Sequence, residues 1–474
     1  MMKHIKHPWL FLLLSLVITV VVKIPHLRLP YFFDETYSYY RAILEMANVG
    51  PTMLPGAIPT IISKGHPLFF YFLGSSWMKF IAGDSILLMR LFPLFISLGA
   101  LYVFHRFAKR HTNVLLANMA VVVLSLQPLF LGQASLVLPE ILLFLLFMLS
   151  FDSYLSRQYE WYALFGSLVL LTKETGAVFI MIFGLAYLAE NYRSWNSKLF
   201  WRNLLLMGVP VLVYAIFLIL HYFAYGVFFY EEHLGYITID PQKVLYKFNS
   251  SVWMLLLAQG RNFIFFTAMT ALLILLVRKK KIEYKRLLIL CLTLIIAFMV
   301  FSILNFYVYR YILPLLGISL LALLVLIQQI KLKNQVVNSA YILCVICVSA
   351  FYSATKRGQS DADLGYIQFL IVHQQMVEYC EQQGWYDKEI GGGYNMVMSL
   401  RDQYAQYLAT DKNFKTHHLP GITNRDIIIY DSTCWPFEMP QEERNKLKLI
   451  KRFEYKKHWG EIYSTPDYEL TQIK

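Results

Sequence analysis

Long apolar runs recur along the first three-quarters of this chain. The first covers roughly residues 8–24. Others fall at about 84–105, 112–131, 139–156, 160–172, 175–189, 203–225, 252–277, 286–304, 308–330 and 335–354. A run of this kind in hydrocarbon must satisfy its own backbone hydrogen bonds, which only a helix does within one segment. Hydrophobic residues make up 57% of the chain and charged residues only 15%, more apolar surface than a soluble domain can bury. The expectation is a mostly α, polytopic membrane helix bundle of about eleven transmembrane helices.

The N-terminus has Lys3 and Lys6 before the apolar stretch Trp9–Val22. Lys23-Ile-Pro-His-Leu-Arg28 follows it in place of a small-residue cleavage site, so a retained first helix is expected. Between 160 and 189 the apolar run is interrupted by Lys173-Glu174. One continuous helix would leave that pair near the bilayer centre at high cost, whereas a tight hairpin brings it to one surface.

Basic residues test this map. With a cytoplasmic N-terminus, alternate connections should carry Lys and Arg. They do: Arg106, Lys109 and Arg110; Arg157; Arg193, Lys198 and Arg202; Arg278 to Lys281 with Lys285 and Arg286; Lys331 and Lys333. The opposite connections near 132–138 and 305–309 carry none. The net charge of +13 is therefore a topology signal, and no basic, aromatic-interleaved patch points to nucleic acid. This map puts Asp34, Glu140, Lys173, Glu174, Arg310 and the whole tail on the extracytoplasmic side.

Two organisational units are expected. Residues 1–354 form the membrane unit, with a long first extracytoplasmic loop over 25–83. That loop holds an amphipathic helix from Glu35 to Met46 and an interfacial helix within 66–82. In residues 355–474 charge density rises, and a small extracytoplasmic α/β domain is expected. Its helices are placed at 363–383, 397–408 and 441–452, and its strands at 389–390, 426–430 and 461–464. Five cysteines lack metal-type spacing. Cys344 and Cys347 lie in an apolar run as lipid-facing or packing residues, and Cys380 and Cys434 form a pair only if the tail is exported.

Chemistry concentrates in Leu29-Pro-Tyr-Phe-Phe-Asp-Glu-Thr-Tyr-Ser-Tyr-Tyr-Arg41, just past the first helix. Asp34 and Glu35 are adjacent carboxylates in an aromatic, hydroxyl-rich setting at the membrane surface. Such acids either cap and open the following helix or act as catalytic carboxylates. Glu140, in Leu138-Pro-Glu-Ile141, suits either a helix N-terminus or a second acid. The cationic candidates for a phosphate are Lys64, His66, Lys173, Arg261 and Arg310. Arg310 is the most informative, because the positive-inside bias disfavours an arginine at that face unless an anion or a lipid headgroup needs it. Arg261, inside an apolar segment, either serves a site or pairs with Glu231 or Glu232. Lys173 and Glu174 either pair with each other or join the site. Tyr37, Glu174 and Tyr309 are candidates for substrate contact. His66 lacks a spaced partner, so no metal ligand set is assigned; no cofactor is identified and a divalent metal is left open.

Several of these pieces recur in order in a known group. Phe33-Asp-Glu-Thr36, Lys64-Gly-His-Pro-Leu68, Gly83-Asp-Ser-Ile-Leu-Leu-Met-Arg-Leu-Phe-Pro93, Leu138-Pro-Glu140, Leu171-Thr-Lys-Glu-Thr-Gly176 and Tyr309-Arg-Tyr-Ile-Leu-Pro314 resemble motifs of the GT-C superfamily. The likeness is to the branch with protein O-mannosyltransferases and lipid A aminoarabinose transferases, and it covers about residues 8–330. It implies a polyprenyl-phosphate-linked sugar donor and inverting transfer to an extracytoplasmic lipid, polysaccharide or protein. It also implies residence in a cell membrane, the bacterial inner membrane. Asp34 matches the family's catalytic Asp, and Glu140 stands where a second acid, often Asp, is found. Lys64, His66 and Arg310 match positions near the donor phosphate, although the family's His-Pro-Pro-Leu is shortened here to His-Pro-Leu.

The alternative is a secondary transporter or a lipid-linked-sugar flippase without transfer activity. Transporters favour repeats around a midplane site, whereas this chain has no internal repeat and its polar residues gather at one face. A phosphotransferase acting on lipid A would call for metal-ligand clusters that the spacing does not offer.

Overall fold

The computed structural model describes residues 9–330, 335–358, 360–419, 425–432 and 439–465. The apolar runs are helices: Leu10–Lys23, Ile86–His111, Val114–Ser125, Glu140–Leu155, Tyr159–Thr172, Ala177–Asn191, Lys198–Tyr225, Arg261–Val277, Lys285–Leu304, Leu313–Gln328 and Gln335–Thr355. Among the described residues five helices are long and apolar enough to cross a membrane, or six if one bent pair counts as a span. The others are shorter, and several pack deep in the bundle; helix Val114–Ser125 is buried from Leu116 to its end. A multi-pass membrane protein with a small C-terminal sheet is thus the fold.

Lys173–Gly176 breaks the 159–191 stretch into two helices, as two charged residues inside an apolar run require. The expected single span over 252–277 is corrected. Pro241–Leu257 and Arg261–Val277 meet at an angle of 84°. The break is made by Gln259 and Gly260, with φ of +55° and +84°, which no helix accommodates. The first loop follows its expected outline. A π-helical turn, Glu35–Tyr40, runs into helix Arg41–Val49, and the aromatic segment gives helix Phe69–Trp77.

The C-terminal unit is built on helix Gly365–Gln382 and a five-stranded sheet. In chain order the strands are β1 (Glu389–Gly392), β2 (Lys415–His418), β3 (Ile427–Asp431), β4 (Lys448–Tyr455) and β5 (His458–Ser464). Their order in the sheet is β2-β1-β3-β5-β4, parallel across the first three and antiparallel after. β3 is the central strand, and its unbroken Ile427-Ile-Ile429 run is fully buried, as a strand covered on both faces demands.

The expected helix over 441–452 is corrected. Only Gln441–Arg444 is helical, and Lys448–Tyr455 is a strand paired with β5. A bulge between Leu449 and Lys451 breaks the alternation of apolar residues, so the pattern imitates a helical period. β2 had no strand signal in the sequence. The expected helix at 397–408 begins earlier and stops at Arg401, before a turn over Gln403–Ala405. Cys344 and Cys347 are exposed on their helix and Cys380 is buried; Cys434 lies outside the described residues.

Candidate active site

Arg310 is the centre of the site. It sits in the turn Tyr309–Ile312 that opens helix Leu313–Gln328. One terminal nitrogen, Nη1, lies 2.5 Å from Asp34 and 2.9 Å from Asp361, while Nε lies 3.1 Å from Glu140. Lys173 adds a second cation, 2.7 Å from the same Glu140 oxygen and 3.8 Å above the ring of Tyr311. Three carboxylates and two cations therefore form one network. A buried charge is tolerated only when paired and hydrogen-bonded, and each of these is.

The network decides between readings the sequence left open. Asp34 makes no helix-capping hydrogen bond; its carboxylate goes to Arg310 instead. Glu140 does open a helix, and it also receives both cations. The self-paired reading of Lys173 and Glu174 is corrected: Lys173 turns to Glu140, and Glu174 takes His66 at 3.0 Å. Adjacent residues at a break between helices point in different directions, so sequence neighbours are poor guides to pairing there.

Glu35 has different partners. It is fully buried, bonded by both Arg90 terminal nitrogens at 3.0 Å and by the backbone N–H groups of Phe32 (2.8 Å) and Val137 (2.7 Å). Arg90 also donates to the carbonyls of Pro30 and Ser135. Burial pushes the Glu35 carboxyl up from its ordinary range, and Arg90 and the two backbone donors oppose this. This clamp ties the loop carrying Asp34 to helix Ile86–His111 and to the 135–137 turn.

The remaining candidates surround or stand apart from this network. Lys64 has φ of +53° and donates to the Tyr37 hydroxyl at 3.1 Å. His66 lies beside Glu174 and stacks on Tyr39. The Tyr309 hydroxyl accepts from Ser250 at 3.1 Å. Arg261 is fully buried at the kink and bonds Gln127 (2.6 Å), Gln259 (3.1 Å) and the carbonyls of Leu255 (3.0 Å) and Met254. It holds the bent helix pair together and spends its donors on these groups instead of on Glu231 or Glu232.

Asp361 escaped the sequence reading. It belongs to the connection between the last apolar helix and helix Gly365–Gln382. Gln133 donates to its carbonyl (2.9 Å) and carboxylate (3.1 Å), and Gln259 donates to the next carbonyl, that of Ala362 (3.1 Å). Gly132 makes the approach possible: a Cβ there would meet the Asp361 carbonyl at 2.7 Å. Burial pushes the Asp361 carboxyl up, with Arg310 pulling it back. The available signal was Asp361-Ala-Asp363, acids just past a membrane helix, which repeats the situation of Asp34-Glu35.

A model of the Alg9-like mannosyltransferase family matches residues 57–385. No curated protein matches by sequence. Among solved structures, ArnT from Cupriavidus metallidurans in the apo state aligns with a TM-score of 0.55 at 13% identity, over 95% of this chain and 97% of that one. The same protein bound to undecaprenyl phosphate aligns with a TM-score of 0.55 at 13% identity, over 96% and 97%. An Archaeoglobus fulgidus oligosaccharyltransferase in complex with Zn and sulfate aligns with a TM-score of 0.51 at 14% identity, over 89% and 68%. At these identities the structural likeness speaks to the fold.

Proposed function

Since this chain belongs to the Alg9-like mannosyltransferase family, and so is a membrane glycosyltransferase of the GT-C superfamily, we propose that its donor is a polyprenyl-phosphate-linked sugar and that Asp34 is the general base of an inverting transfer. The donor class is supported by the similar fold of ArnT, a structure of which holds undecaprenyl phosphate. The acceptor is an extracytoplasmic lipid, polysaccharide or protein that attacks through a hydroxyl. The N-terminus is cytoplasmic, the membrane is a bacterial inner membrane, and residues 355–474 are an extracytoplasmic domain.

The observation that carries the assignment of Asp34 is its accessibility within the Arg310 network. Its side chain is 24% exposed, against 7% for Asp361 and 1% for Glu140. Only the first of these can meet an incoming nucleophile without rearrangement. The acceptor oxygen attacks the anomeric carbon and its proton passes to the Asp34 carboxylate. The carbon–oxygen bond to the lipid phosphate breaks with its electron pair on the phosphate. Arg310 and Lys64 supply positive charge and N–H donors for the charge that develops there. Glu140 and Asp361 hold Arg310 in place; Glu35 with Arg90 holds the loop of Asp34.

The test is turnover of a panel of polyprenyl-phosphate sugars in nanodiscs, read by mass spectrometry, for wild type and Asp34→Asn with melting as the control on folding. Wild type should consume one donor and a normally folded Asp34→Asn should not. Equal turnover by both would remove Asp34 from the chemistry.

A further inference from the structure

Beside the Arg310 network, three residues from distant segments turn their ligand atoms toward one another. His66 follows Lys64 and Gly65, both in the left-handed region. Glu174 opens the turn that separates two apolar helices. His233 lies in the short helix Glu231–Gly235. One nitrogen from each histidine and one oxygen of Glu174 all lie within 4.8 Å of one another. We propose that His66, Glu174 and His233 form a binding site for a divalent metal ion of zinc type, with a fourth position open to water or to a phosphate oxygen.

The geometry is close to that of a bound site. Ligand atoms on a tetrahedral zinc, with bonds of about 2.0–2.1 Å, sit about 3.3 Å apart. His66 Nδ1 and Glu174 Oε2 are already 3.0 Å apart. The two imidazoles have centroids 4.9 Å apart at 36°, and since no two of the three ligand atoms are more than 4.8 Å apart, closing on an ion takes shifts of about 1.5 Å or less, the scale of a side-chain torsion. Two nitrogens and one carboxylate oxygen are a zinc-like donor set; calcium and magnesium take mostly oxygen. Three protein ligands with one free position is the arrangement of ions that take part in chemistry, where purely structural zinc has four protein ligands.

The convergence is also built into the backbone. A Cβ on Gly65 would lie 2.8 Å from Cβ of Tyr230, so the bare glycine lets the 230–235 segment rest on the His66 turn. Tyr39 stacks on the His66 ring at 6.0 Å and 8°, which sets its plane. In the sequence His66 had no partner because both partners lie more than a hundred residues downstream.

The full-length protein, free of any polyhistidine tag and stripped with a chelator, would be titrated with Co²⁺ in nanodiscs and followed in the visible spectrum. Wild type is expected to take one equivalent and show the strong bands of four-coordinate cobalt. His233→Ala and Glu174→Gln should each weaken binding by about 100-fold or more, because each removes a ligand atom, and loss of a group that merely orients a ligand already costs about 10–100-fold. His233→Asp restores a ligand atom and should recover part of the affinity. The site stands independently of the sugar-transfer reading: Asp34→Asn removes no ligand and should bind Co²⁺ like wild type. Absence of cobalt bands in wild type would overturn the proposal, as would equal affinity in wild type and a normally melting His233→Ala.

Discussion

Asp34 and Asp361 share one nitrogen of Arg310, at 2.5 and 2.9 Å. One carboxylate comes from the loop after the first membrane helix and the other from the entrance to the C-terminal unit. Two like charges so close are unfavourable unless a cation lies between them, so Arg310 is the condition for both to be there. The candidate site is therefore a joint between the loop after the first helix and the entrance to the C-terminal unit.

Arg310→Lys keeps the charge and loses the fork. A lysine ammonium is a single nitrogen and cannot hold Asp34 and Asp361 from one atom and Glu140 from another, as the guanidinium does. Transfer should fall by about 10²–10³-fold, the scale for removing one positioned donor from a developing anion. Steady-state kinetics with the lipid donor would check this; an activity within threefold of wild type would show that charge alone suffices.

Gly132→Ala tests the joint from a distance. The added methyl would press on the Asp361 carbonyl, and overpacking of this kind costs about 1–3 kcal/mol. The 361–363 segment should shift, Arg310 should lose its hold, and kcat should drop although residue 132 is not a candidate for substrate contact. Thermal melting and kinetics together check it. A lowered melting temperature with unchanged kcat would mean that Asp361 does not position Arg310.

Glu35→Gln should act on stability more than on chemistry. It leaves Arg90 buried without its carboxylate, and breaking a buried pair from one side costs about 3–5 kcal/mol. Replacing both partners together, Glu35→Gln with Arg90→Met, should recover much of that loss. Denaturation of wild type, the two single variants and the double variant measures the coupling.

Acid should weaken the C-terminal unit through His458. This buried imidazole donates from Nε2 to the Gly358 carbonyl (3.1 Å), and its Nδ1 faces the Ser432 hydroxyl (3.4 Å), partners that suit the neutral ring. Burial pulls its pKa below the ordinary value, opposed by the backbone of Gly358 and of Ser432. The unfolded chain then takes the proton first, so stability falls as pH drops below about 6.5 and levels off beneath the folded pKa. Melting at pH 7.5 and 5.5 checks this, and His458→Gln should flatten the difference.

Much of the frame was legible because membranes impose a strong rule. Helices form wherever a long run lacks polar groups, and the basic loops alternate. The interruption at Lys173-Glu174 was readable for the same reason, since the cost of a charge in hydrocarbon is large. The kink at Gln259-Gly260 left a similar trace, Gln259-Gly-Arg-Asn262 within an apolar run, but the sequence does not say whether Arg261 finds its partners across a break or within one span. β4 was misread as a helix because its partner and its bulge, both products of the sheet, set its period.

The residues of the site divide in the same way. Asp34, Glu140, Lys173 and Arg310 stood out by residue type, since a charged group at the membrane face has to be explained. Which of them meet was decided only by the tertiary structure. Arg310 takes Asp34, Glu140 and Asp361; Lys173 leaves Glu174 for Glu140; Glu35 is claimed by Arg90; and His66 finds Glu174 and His233. Burial penalties act on each residue alone and can be read one position at a time. Pairing depends on distances between segments far apart in the chain, and those exist only once the helices have packed.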